Sequence, residues 1–365
     1  MLKSELDTPA LILDLDLFEQ NLAKMRDFAA SCGKKLRPHA KTHKCPEIAK
    51  RQLEAGNCAG ICAAKLSEAE ALADAGIQDI LITSPVVAQN KILRLADLND
   101  KISNLQMTVD SEYQVELLAG VFRSRKPLHV LIDVDPEMGR TGVPFDKALQ
   151  FGDFISRFPE LILDGVQCYA GHLQHITSAA ERNAESTRLM QKGAEVFRQL
   201  AEKYPTCKIY TGTGTGTSAA DVLIPELTDI QVGSYCMMDS EYLAVEHSGP
   251  AYAPALTLLS SVISANHCGH ATIDAGTKSI YVTPGAPAQV IREGAIDSDF
   301  VYSWDFGDEH GHLTFPASGK MVPSERVELA VSHCDPTVNL FDELWIVQGN
   351  EVIERWEISL RGCCR

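Results

Sequence analysis

Asp79-Ile80-Leu81-Ile82-Thr83, then Gln106-Met107-Thr108-Val109, then Val130-Leu131-Ile132-Asp133-Val134, form the stretch on which the fold turns. Each run is short and largely apolar, so each reads as a buried strand. The intervals between them have room for a helix, and strands spaced by helices pair in parallel βαβ units. The alternation extends both ways. Upstream, Ala10-Leu11-Ile12-Leu13 and Ala59 to Ala63 read as strands, and Leu17 to Ala30, Ile48 to Ala55 and Leu66 to Ala75 as helices. Downstream, Leu163 to Tyr169, Lys208-Ile209-Tyr210 and Ile230-Gln231-Val232 close the series. Roughly eight such units close a TIM-type (β/α)8 barrel; an open doubly wound sheet is the competing arrangement. Near Glu246-His247-Ser248-Gly249-Pro250 the texture changes. Strand patterns and turns such as Thr272 to Thr277 and Leu344 to Gln348 then indicate a mostly antiparallel β domain. The expected division is a barrel over residues 8–245 and a β domain over 246–365, joined by the first few residues.

Composition narrows the partners. The 365-residue chain is 45% apolar and 22% charged, as ordinary globular enzymes are. A net charge of −16 argues against nucleic acid and against anionic membranes. No apolar run reaches the length of a membrane span, and Met1 to Asp7 has no apolar signal core. The eleven cysteines are scattered without a framework, which suits reduced thiols in the cytoplasm.

Several segments carry groups suited to chemistry. Arg37-Pro38-His39-Ala40-Lys41-Thr42-His43-Lys44 crowds cations and imidazoles around Lys41. Folded inward, Arg37, His39, His43 and Lys44 would depress the Lys41 pKa and make an imine-forming amine; folded outward, they make a solvated basic loop. Asp133 to Gly142 runs from a strand into a glycine-punctuated loop bearing Arg140, which either contacts an anionic ligand or closes a turn on an aspartate. Tyr169 ends a strand and is followed by His172 and His175; imidazole suits proton transfer near neutral pH. Thr213, Gly214, Thr215 and Gly216, with Gly233, Ser234 and Tyr235 after the next strand, offer backbone N–H and hydroxyl donors where TIM barrels bind phosphate. Neither run is a Walker loop or a dinucleotide fingerprint. Near the C-terminus, His333 and Asp335 alternate as on one strand, so both side chains would share a face and could chelate a metal. A carboxylate there favours Mn²⁺ or Mg²⁺ over Zn²⁺, although zinc also stays in the set.

These segments, in this order, resemble the D-threonine aldolase and D-serine dehydratase family, whose members bind pyridoxal phosphate on an alanine-racemase-type barrel. The resemblance implies that Lys41 carries the cofactor as a Schiff base. It implies that Arg140, Tyr169, the Thr213–Gly216 loop and Gly233–Tyr235 hold the cofactor, and that His333 and Asp335 hold the metal near His175. Asp335, where the dehydratase branch has cysteine, inclines the reading to the metal-activated aldolases of D-threonine or 3-hydroxy-D-aspartate. The implied reaction is a retro-aldol cleavage of a D-3-hydroxyamino acid to glycine and an aldehyde, in a homodimer. A D-3-hydroxyamino acid dehydratase is the nearest rival; a pyridoxal phosphate carrier and a racemase are further ones.

Overall fold

The structure, a computed structural model, describes residues 1–365. Eight parallel strands make the first sheet, in the spatial order Lys35–Leu36, Asp229–Ile230, Ile209–Gly212, Leu161–Cys168, Leu128–Asp133, Asn104–Val109, Asp79–Ile82 and Ile61–Ala63. Its two edges meet, because Leu36 bridges Cys58 and His39 bridges Cys62 in parallel. The sheet therefore closes into the expected barrel. Helices Pro46–Ala55, Leu66–Asp74, Gln89–Lys101, Glu112–Phe122, Ala148–Ile155 and Ala179–Lys203 alternate with the strands. Polar side chains cross between barrel strands. Arg37 donates to Asp79 at 2.8 Å and Asp229 at 3.3 Å, while Gln231 donates to Gln167, which donates to Asp133. No helix is long and apolar enough to cross a membrane.

The second sheet has nine strands, in the order His270–Ile273, Gly311–Thr314, Ala295–Ser303, Gln289–Arg292, Arg326–Ala330, Leu256–His267, Ala10–Asp14, Glu343–Gln348 and Glu351–Glu357. Every pairing is antiparallel except that of Ala10–Asp14 with Glu343–Gln348. One expectation is corrected here. Ala10–Asp14, counted in the barrel series from sequence, is an interior strand of the β sheet. Both its faces are apolar: Leu11 and Leu13 enter the main core, and Ala10 and Ile12 pack with Leu6, Leu259 and Val347. The first barrel strand is instead Lys35–Leu36, too short to show a period.

The crossing between the two sheets is the helix Leu15–Ser31. Asp14 caps it, its carboxylate accepting the Leu17 N–H at 3.0 Å. Phe18, Leu22, Met25 and Ala29 form its buried stripe at helical spacing. Core residues from both sheets, such as Leu13, Ile48 and Leu256, belong to one continuous apolar cluster. The chain thus starts in the β domain, builds the barrel, and returns.

Candidate active site

A cavity of about 610 Å³ opens at the rim where the barrel strands end. Among its lining residues are Lys41, Arg140, Tyr169, Gly214, Thr215, Gly233 and Ser234. That rim is where βα loops gather in such barrels, so the chemistry sits on loops held by a rigid sheet.

Lys41 follows the first barrel strand and is 40% exposed at its side chain. Its Nζ donates to Asp335 Oδ2 at 2.7 Å, which joins the barrel rim to the β domain. The Asp335 carboxylate holds Lys41 above the ordinary lysine pKa, outweighing burial. Burial pushes Asp335 the other way, but Lys41 and His333 keep it below the usual carboxylate range. This overturns the reading in which neighbouring cations depress the lysine. Arg37 is spent on Asp79 and Asp229 inside the barrel, and Lys44 pairs with buried Glu68. His43 is held down to about 4 by burial, and burial and then Lys41 lower His39, which bonds Thr83 at 3.1 Å.

Arg140 has its guanidinium 5.4 Å from the centre of the Tyr169 ring. Asp135 shapes its loop by accepting the N–H groups of Met138 and Gly139. Tyr235 is a second correction. Its ring is buried against Tyr252, and its hydroxyl accepts from Gln52, so the side chain lies outside the cavity lining. Its backbone N–H goes to Thr215 Oγ1 at 3.2 Å. Thr213, with a left-handed backbone, and Gly216 lie under the lining rather than in it.

His333 and Asp335 do not lie on a strand, which is a third correction. His333 caps a short helix, Cys334–Val338. Pro336 has no N–H to give to a sheet but is tolerated in a first helical turn. Buried Asp239 accepts the Cys334 N–H at 2.9 Å and so starts that turn. The Cys334 thiol turns inward to the Met238 carbonyl. His333 Nδ1 lies 2.9 Å from Asp239 Oδ2 and 3.4 Å from Glu241 Oε2. Burial would lower the His333 pKa, but Asp239, Asp335 and Glu241 more than offset it and raise it. His175 Nε2 is 3.4 Å from the same Glu241 oxygen, and its ring is 4.6 Å from that of Tyr242 and 6.1 Å from that of His333. Burial lowers the His175 pKa against the pull of Glu241 and Asp239. His175, His333 and Asp335 are thus gathered with Lys41 and Tyr242, beside the cavity rather than in its lining. His172 is exposed and is not part of the cavity lining.

Residues 13–241 match the family described as alanine racemase, N-terminal domain, and residues 255–347 match the putative serine dehydratase domain. A D-threonine aldolase from Arthrobacter sp is 36% identical over 99% of this chain and 94% of its own length. A 3-hydroxy-D-aspartate aldolase from Paracoccus denitrificans is 32% identical over 99% and 93%. The crystal structure of D-threonine aldolase from Filomicrobium marinum superposes with a TM-score of 0.93 at 34% identity, covering 99% of this chain and 98% of that one. The chain belongs to the alanine-racemase-type family of pyridoxal phosphate enzymes.

The residues present suit that family's cofactor. The N–H groups of Thr215, Gly233 and Ser234 have no acceptor within the protein and belong to cavity-lining residues, which makes an anion cradle. Two glycines let the cradle loops pack closely on their neighbours: a Cβ on Gly233 would come 2.4 Å from Thr42 Oγ1, and one on Gly216 2.3 Å from the Gln174 carbonyl oxygen. The donor set at the other end suits a divalent cation. Asp335 Oδ1 is buried without a hydrogen-bond partner, and Asp239, Glu241 and Asp335 put three carboxylates around His333. No group of three or more His, Cys, Asp or Glu side chains is arranged to hold a metal ion, so a cation here would rest on His333 and Asp335 alone.

Sequence reading gave no role to four residues that shape this site. Gln174 accepts the Gly216 N–H at 3.0 Å and donates to Thr217 Oγ1 at 3.1 Å. Buried Arg182 donates to the carbonyls of Gly216, Ile176 and Glu246, tying the glycine loop to the segment after His175. Asp239 and Glu241 hold the two imidazoles. Each is a single polar residue whose partners are distant in sequence. The only signals at hand were the Gln-His dipeptide at Gln174 and the Met238-Asp239 pair beside the family-like Gly-Ser-Tyr segment.

Proposed function

We propose that this protein is a pyridoxal phosphate- and divalent-metal-dependent aldolase that cleaves D-3-hydroxyamino acids to glycine and an aldehyde. The observation that carries the reading is the 2.7 Å contact between Lys41 and Asp335, which brings an amine able to form an imine and a metal-ligating pair into one site. Pyridoxal phosphate, when bound, supplies a ring that accepts an electron pair, and the divalent ion a Lewis acid that acidifies a hydroxyl. The chain's own residues do the rest. Lys41 supplies the amine that joins the cofactor. The N–H groups of Thr215, Gly233 and Ser234 would receive its phosphate, and Arg140 and Tyr169 line the same cavity. His333 and Asp335 hold the ion, Mn²⁺ or Mg²⁺ by the hardness of the carboxylate. His175, half-exposed beside Glu241, takes the proton from the substrate's β-hydroxyl.

The names of the relatives support the aldolase over the dehydratase. Eleven unpaired thiols suit a reducing cytoplasm. The β domain carries exposed Val301, Trp304 and Phe306, and a homodimer would bury apolar surface of this kind.

The test is product analysis with D-threonine, the cofactor and Mn²⁺. Acetaldehyde and glycine in equal amounts, lost with EDTA and restored with Mn²⁺, are expected. A 2-oxo acid with ammonia would assign the protein to the dehydratases.

A further inference from the structure

Asp239 is fully buried at its side chain, yet it belongs to a loop of the barrel rim and reaches groups of the β domain. Its carboxylate accepts from the Tyr242 N–H at 3.1 Å through Oδ1. Through Oδ2 it meets the Cys334 N–H at 2.9 Å and His333 Nδ1 at 2.9 Å. It therefore caps the short helix Ser240–Leu243, which carries Glu241 and Tyr242, and also the helix Cys334–Val338, which carries Asp335.

An ionised carboxylate can only accept, so the third contact requires the proton on His333 Nδ1. A neutral imidazole protonated there keeps its lone pair on Nε2. We infer that Asp239 is a positioning residue that selects Nε2 of His333 as the metal-binding nitrogen and fixes its ring. This rests on the proposed metal site. The residue nearest in chemistry, Glu241, lies farther from the imidazole at 3.4 Å and has no backbone N–H to anchor it.

Asp239→Asn separates this role from a structural one. Asparagine caps helices about as well as aspartate. Its amide, however, cannot accept at both ends. With NH₂ in the Oδ2 position it donates to His333 Nδ1, drives the imidazole proton to Nε2 and faces the Cys334 N–H, so that cap is lost. With NH₂ in the Oδ1 position it faces the Tyr242 N–H.

Mn²⁺ affinity is measured by the free-ion electron paramagnetic resonance signal in the parent, Asp239→Asn and His333→Ala proteins. Unfolding midpoint and cofactor absorbance are recorded for each. The parent is expected to bind Mn²⁺, His333→Ala to lose it, and Asp239→Asn to bind roughly 10–100-fold more weakly with cofactor absorbance unchanged and the midpoint lowered only by the loss of one of its two helix caps. Parent-like Mn²⁺ affinity in Asp239→Asn, with binding lost in His333→Ala, would overturn the inference and leave the aldolase reading standing. A lowered midpoint together with lost cofactor would make Asp239 a structural latch and also overturn it. A parent that binds no Mn²⁺ would overturn the metal reading and the inference together.

Discussion

Lys41 illustrates how a single contact can reverse an inference from composition. The surrounding cations suggested an amine pushed toward its neutral form. Each of them is instead neutralised elsewhere or buried as a neutral ring, and the group that meets Lys41 is a carboxylate from the other domain. Asp335 therefore favours the charged amine, and at the proposed metal site a divalent ion would compete for that carboxylate. Two substitutions separate the two halves of the site. Lys41→Ala is expected to abolish the visible absorbance of the lysine–cofactor imine. His333→Ala should keep that absorbance and lose activity; full activity in that variant would remove the metal from the reaction. A third residue bears on stability. Asp221 beneath the glycine loop is raised to about 6 by burial, although the hydroxyls of Ser186 and Thr217 donate to it. Its ordinary value is 3.8, so the folded chain holds the proton more tightly than the unfolded one. The stability this gives is complete below about pH 3.8 and is lost as the pH rises to about 6. Asp221→Asn should flatten that part of the profile, by at most about 3 kcal/mol, in urea unfolding followed between pH 4 and 7.

At the scale of elements, the parallel strands were legible because apolar runs separated by helix-length intervals admit few other arrangements. The glycine loops were legible from composition. What failed depended on pairing over long sequence distances. Ala10–Asp14 begins a strand–helix unit like any other, and only the apolar character of both faces hints that it fills a sheet interior. Lys35–Leu36 is a strand by virtue of its neighbours alone. His333–Asp335 has the alternation of a strand, but the cap from Asp239 and the presence of Pro336 make it a helix start. The cradle is the element most sensitive to a small change. Gly216→Ala places a methyl against backbone that cannot turn aside, so a loss of about 1–3 kcal/mol and weaker cofactor binding are expected, measured by thermal unfolding and by absorbance titration. Parent-like values in both would mean that the loop is free to move away from Gln174.

For the molecule as a whole, the two sheets depend on each other. The strand Ala10–Asp14 lies between Leu256–His267 and Glu343–Gln348, so the N-terminal residues need the last third of the chain. A chain ending at residue 254 leaves Leu11, Ile12 and Leu13 without their sheet partners and is expected to be insoluble, as a fractionated expression would show; a soluble, cooperatively melting barrel would contradict the shared core. The site inherits the same dependence, since Lys41 and the proposed metal pair come from different domains. The most direct measurement is anomalous diffraction from a crystal grown with pyridoxal phosphate and Mn²⁺. The expected result is a manganese peak bound by His333 Nε2 and Asp335, with continuous density from Lys41 to the cofactor in the same cavity. A manganese peak at other residues, or a cofactor joined to another lysine, would contradict the single two-domain site.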